Sequence, residues 1–176
     1  RRRQFFPFYT AEELTGSATR GLRLETMAVA LRRGKIAGVL ALWEQSAYKQ
    51  TVVRAYRDDL RRLKPLYNLA AKLLGACPLT EIGQPISFAY AAFGCVAEDD
   101  PAIFRALLQT VYNWAAARGL AFLMLGLCEG DPLLAVARRW LHITYTSTLY
   151  TVCWQENEEW RQRLDGRIPY VEIGTL

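Results

Sequence analysis

The stretch over residues 86–154 restricts the fold more than any other part of this chain. An apolar run at 86–96 stops at the acidic turn Glu98-Asp99-Asp100-Pro101. From there to Arg118, Ile103, Leu107, Val111 and Trp114 recur at helical spacing, and Gly119 ends the pattern. A second apolar run follows at 120–128. A strand, a crossover helix and a strand in that order make a right-handed unit with parallel strands. In such units a ligand sits at the carboxyl end of the first strand, against the helix N-terminus. The pattern therefore places a candidate site between Gly94 and Phe104.

The flanking sequence supplies further elements. Residues 28–31 and 36–43 are apolar runs of strand length around Arg32-Arg33-Gly34-Lys35, which predicts a hairpin. Thr10 and Glu13 have capping-box spacing at a short helix start. Val52 and Val53 centre a strand at 50–55, and Leu66, Leu69, Ala70 and Leu73 mark a helix over 65–74. Asp131 caps a helix predicted over 132–140, with Pro132 at its first position. Residues 145–154 alternate strictly and read as a strand; 156–163 read as a short helix or turn, and 170–173 as a final edge strand. Phe5, Phe6, Phe8 and Tyr9 form an apolar anchor in an otherwise irregular N-terminal segment. The sum is an α/β (α+β) fold, a mixed, twisted sheet with helices on both faces.

At 176 residues the chain is one domain long enough to bury a substantial core, and 52% apolar residues argue against disorder. No apolar run is long enough to span a membrane. Arg1 opens the chain in place of Met, which suggests a piece of a longer polypeptide. Cys77, Cys95, Cys128 and Cys153 form no C-x-x-C pair, and His142 is the sole histidine. Cys95, Cys128 and Cys153, each in or at the end of a strand-like apolar run, read as buried, reduced thiols of a cytoplasmic protein, with no metal site. The densest basic stretch holds Arg54, Arg57, Arg61, Arg62 and Lys64 around Asp58 and Asp59. A solvated face with local ion pairs outranks an acidic partner there, because no aromatic platform alternates with the charges. Nucleic acid ranks last among partners, and no membrane partner is expected.

The order of hairpin, strand, helix, strand, helix and strand over residues 27–154 resembles the GNAT N-acetyltransferase superfamily. The resemblance divides the chain into an N-terminal segment, 1–26, and a GNAT-like domain, 27–176, the C-terminal part of a longer chain. It matches the hairpin to the family's second and third strands, 86–96 to its fourth, 101–118 to its third helix and 120–127 to its fifth strand. It implies acetyl-CoA as cofactor. Gly94, Cys95 and Val96 would then offer backbone groups to the pantetheine arm and thioester. Ala102, Ile103, Phe104 and Arg105 would stand where the family's R/Q-x-x-G-x-G/A turn holds the diphosphate on backbone N–H groups. This chain departs from that turn. Residues 98–106 hold no glycine and three consecutive acids, and Pro101 removes a donor. Two like charges at ~4 Å repel by about 1 kcal/mol in water and more near a surface. The family's usual acid is a Tyr late in its fourth helix; near that place stand Arg138, Arg139 and Trp140. The candidates for acid–base chemistry are therefore Glu129, just past the second strand, and Tyr145 and Tyr150 on the last. His142 is a further one, histidine being the side chain that changes charge near neutral pH.

Two functions follow. One is an N-acyltransferase that moves an acyl group from acyl-CoA to a small-molecule or protein amine by direct attack. The other is a non-catalytic GNAT-fold module, a partner or scaffold domain, paired with a second copy or with another domain of the same chain.

Overall fold

The hairpin forms where the sequence places it. In the computed structural model, which describes residues 3–73, 75–150, 152, 154, 159 and 163–176, strand β2 (Met27–Arg32) runs antiparallel to β3 (Lys35–Trp43). Arg33 and Gly34 take positive φ, 52° and 75°, as a tight turn between right-twisted strands requires. Strand β4 (Phe88–Val96) lies antiparallel to β3, and β5 (Phe122–Leu125) lies parallel to β4. The sheet order is β2-β3-β4-β5. The first short strand, β1 (Arg3–Gln4), pairs in parallel with the last, β6 (Ile168–Pro169). The fold is thus mixed α/β with a mixed sheet, as the sequence predicts.

Helix α3 (Pro101–Ala117) crosses from β4 to β5 on one face of the sheet. Its Phe104, Leu107, Leu108, Val111 and Ala115 are buried against Leu40, Leu42, Ala89 and Ala91. Each fully buried large apolar side chain contributes about 1.5–3 kcal/mol. Trp114 packs on this cluster while half-buried. Helix α4 (Leu134–Ala137) adds Val136, and Asp131 caps the turn before it by accepting from Leu133 N–H at 2.9 Å. The opposite face carries Ala41, Trp43, Phe88, Tyr90, Ala92 and Phe93. Leu14 of α1 (Ala11–Thr15) packs there, so helices lie on both faces. The capping box of α1 forms between Thr10 and Glu13.

Several expectations are corrected. Residues 50–55 form only an isolated bridge, Val52 with Pro85. The helix expected at 65–74 begins earlier, as α2 (Asp58–Leu73), and runs through Pro65. Strand β5 and helix α4 are both shorter than their apolar runs. None of the described residues of 145–154 is in a strand, and 141–150 are exposed throughout. Alternation alone does not hold a strand; it needs a hydrogen-bonded neighbour, and β5 pairs only with β4 among the described residues. The final strand lies at 168–169, followed by a 3-10 turn over Ile173–Thr175. Of the aromatic anchor, Tyr9 packs edge-on against Phe93 and Phe6 against Tyr170, whereas Phe8 is exposed. Cys95 is an exposed free thiol rather than a buried one, Cys128 is half-buried, and Cys77 is an exposed free thiol. Cys153 and most of 156–163 lie outside the described residues. No helix among the described residues is long and apolar enough to cross a membrane.

Candidate functional site

Strands β4 and β5 part company at one point. Their pairing ends at Ala91 with Leu125, and β4 continues to Val96 without β5 beside it. At the same point β4 bulges: Val39 and Ala41 of β3 face Cys95 and Ala92, so three steps on β4 match two on β3. Phe93 carries the irregularity with φ 56°, which places Ala92 and Phe93 on the same face. The result is a fork at the carboxyl ends of two parallel strands, beside the start of α3.

The C-terminal segment bridges this fork. Phe93 N–H donates to Glu172 Oε2 at 2.5 Å, and Tyr170 Oη donates to the same oxygen at 2.7 Å. Gly174 N–H donates to Glu172 Oε1 at 3.2 Å, so both carboxylate oxygens of this buried residue are satisfied. On the β5 side, Ile173 lies where a Cβ on Gly126 would collide with it. Gly174 lies flat on the Trp43 ring, where a Cβ would also collide, and Gln45 Nε2 donates to its carbonyl at 2.7 Å. Burial, then the Glu172 carboxylate, push the Tyr170 hydroxyl far above its usual range; the Gly94 backbone pulls weakly the other way.

The acidic turn is equally self-contained. Asp100 is the N-cap of α3, and its Oδ1 accepts from Ala102 N–H at 2.8 Å and Ile103 N–H at 3.3 Å. Phe104 N–H donates to the Asp100 carbonyl at 3.0 Å. Asp100 also pairs with Arg32, and that guanidinium, followed by the two backbone donors, holds its carboxyl below the usual range. Asp99 pairs with Arg3 at 2.6 Å, and the same guanidinium reaches Asp131 at 3.2 Å. Arg3 thereby ties the turn after β4 to the turn after β5. Asp99 and Asp100 are neutralised in this way, Glu98 stays exposed with no ion pair among the described residues, and the donors that would hold an anion are already engaged. These residues do not fit a diphosphate.

The structure brings Gly94, Cys95 and Val96 together with Ala102, Ile103 and Phe104 around the fork. Gly94 is half-buried, Phe104 belongs to the core, and Arg105 is exposed on the outer side of α3. Glu129 is an exposed turn residue two positions before the Arg3-bound Asp131. Tyr145 and Tyr150, 91% and 80% exposed, have no hydrogen-bond or ring partner among the described residues. His142 is exposed, and its one hydrogen bond among the described residues is with the Trp140 carbonyl. Glu172 and Tyr170 went unrecognised in the sequence. Their one signal is a lone acid inside the apolar run 170–173, and nothing local links it to Phe93. Chemically, the fork presents a carboxylate and a phenol in contact, locked onto a strand amide.

No family model and no curated relative matches the sequence. A solved structure of an aminoglycoside acetyltransferase from an uncultured soil metagenomic sample aligns over 72% of this chain, at 16% identity and a TM-score of 0.40. The chain spans about 65% of that protein's length. So distant a likeness assigns neither activity nor substrate.

Proposed function

We propose that this chain is a GNAT-like module that acts as a partner or scaffold domain, its acyl-donor cleft closed by its own C-terminal segment. One observation carries the reading: the amides that acyl transfer of this kind needs are occupied within the chain. Asp100 takes Ala102 and Ile103, and Glu172 takes Phe93. A diphosphate or thioester carbonyl would have to displace these carboxylates first. Leaving a buried polar group unpaired costs about 1–3 kcal/mol, more for a charged one. Acetyl-CoA is therefore expected to bind with a Kd on the order of 1 mM or weaker. Titration calorimetry checks this, and micromolar binding would overturn the reading.

The second reading is CoA-dependent N-acyl transfer to a small-molecule or protein amine, in a state where residues 170–176 withdraw. The bulge at Phe93 and the divergence of β4 from β5 favour it, because withdrawal would free one inward N–H where the strands part. Thiol release from acetyl-CoA over a panel of amines separates the two. The scaffold reading expects none from the native chain or from Glu172→Ala. Transfer gained on Glu172→Ala would support the acyltransferase and identify the C-terminal segment as its block.

A further inference from the structure

Helix α2 is turned inside out. Leu60, Leu63, Leu66, Tyr67 and Leu73 share one of its faces, by helical spacing. That face is exposed: Leu66 is 65% and Leu73 80% accessible. The polar side is the one that packs. Asn68 accepts from Leu79 N–H at 2.8 Å, Lys64 pairs with Glu81 at 2.8 Å, and Ala71 is buried beside them. The helix is thus clamped to the loop at 76–81 and makes no extensive contact with the sheet. Burying leucines is the usual reason for an amphipathic helix to form on a protein surface, and here nothing among the described residues buries them.

Charge selects the occupant. Six basic residues stand against two acidic ones over 54–73. Arg54, Arg61, Arg62 and Lys72 have no ion-pair partner among the described residues. Arg62 borders the apolar face on one side; Lys64, on the other, is held by Glu81, and no acid lies on the face beyond Asp59. A second copy would bring the unpaired cations of this helix towards their like, whereas an anionic surface would meet complementary charge. The loop clamp leaves one side of α2 free. That suits a planar contact and not a groove that must enclose a helix. We infer that α2 docks this module on an anionic lipid surface, leucines at the acyl boundary and basic side chains at the headgroups. The sequence alone reads the basic part of the same stretch as a solvated face with local ion pairs, because no aromatic platform alternates with its charges. The surface lies apart from the fork, so it stands whichever reading of the fork holds.

Sedimentation of the 176-residue chain with vesicles tests it. Phosphatidylcholine vesicles with a phosphatidylglycerol fraction should pull the chain down, pure phosphatidylcholine should not, and added salt should release it. Leu66→Asp with Leu73→Asp should weaken binding at least roughly tenfold, as loss of two buried leucines requires. Arg61→Glu with Arg62→Glu should weaken it too, with the apolar face intact. Circular dichroism confirms that each variant is folded. Equal binding to neutral vesicles, binding unchanged in either variant, or no binding at all overturns the proposal. A dimer by light scattering that Leu66→Asp dissolves would assign the face to a second copy instead.

Discussion

The two faces of the four-stranded sheet are covered by different means. One face is aliphatic and takes α3 with α4 beside it; three residues of 3-10 turn and a cap join α3 to β4. The other is aromatic and is covered by pieces from both ends of the chain: Tyr9, Leu14 and Ile173, with Glu172 and Gln45 buried among them. The first face is held chiefly by apolar contact, with charged groups only at its rim, Asp100 with Arg32 and Asp131 with Arg3. The second also depends on buried polar groups: Glu172 has both oxygens paired, and Gln45 has its Nε2 bonded but its Oε1 without a partner among the described residues. It is therefore the less robust of the two and the one where chemistry or regulation has room to act.

Phe104→Ala should be the most damaging change on either face. Phe104 is 2% exposed at the centre of the α3 contact, and its truncation should cost about 3–5 kcal/mol by denaturant unfolding. If it costs less than the loss of Glu172, the ranking of the two faces is reversed.

Glu172→Ala leaves the Phe93 amide and the Tyr170 hydroxyl without their acceptor. We expect a loss of about 1–3 kcal/mol. Limited proteolysis should also cut after Arg167 before the sheet unfolds. Concerted digestion with no early C-terminal cut would show that the two faces are one cooperative unit.

Tyr170→Phe sharpens the comparison through pH. Its expected cost near neutrality is about 1 kcal/mol, one hydrogen bond to a carboxylate. The folded hydroxyl titrates well above its usual value of 10.0, chiefly through burial. A group with a raised folded pKa contributes stability that is complete below the unfolded value and lost as pH rises above it. The native protein should therefore weaken above pH 10.0, by a step that Tyr170→Phe lacks. Identical alkaline profiles for the two proteins would place Tyr170 outside the buried network.

The smallest effect belongs to Asp100→Ala at the start of α3. Amide exchange at Ala102 and Ile103 should quicken by no more than roughly tenfold, as for a lost helix cap. Asp100 has a lowered folded pKa, so its contribution is present above the ordinary carboxylate value of 3.8 and lost as pH falls through the folded one. Acidification of the native chain should reproduce the variant's exchange at those two amides.

Much of the α3 face was legible in the sequence. The turn at Arg33 and Gly34, the helix start at Pro101 and the recurrence of Leu107 and Val111 are all settled within a few residues. The site was legible only in position. Its location at the end of β4 followed from strand, helix and strand order, and Gly94 and Ile103 do stand there. Its contents did not follow. The alternating residues at 145–154 promised Tyr145 and Tyr150 to the site, and the fold leaves both in solvent, since a strand forms only where an edge receives it.

By itself, then, the sequence determined the hairpin, the crossover unit, the caps and the bulk of one core, because periodicity and capping act over a turn or a strand. The tertiary structure decided the rest. Glu172 meets Phe93 across 79 residues, and Arg3 meets Asp99 across 96 and Asp131 across 128. Loop-closure entropy grows only slowly with chain length, so separations of this size exclude no pairing and select none. The direction in which α2 turns its leucines was also open, because a helical pattern specifies a face but not what that face meets. Which segment fills the fork and which face stays bare are set by shape and by unpaired polar groups once the sheet exists.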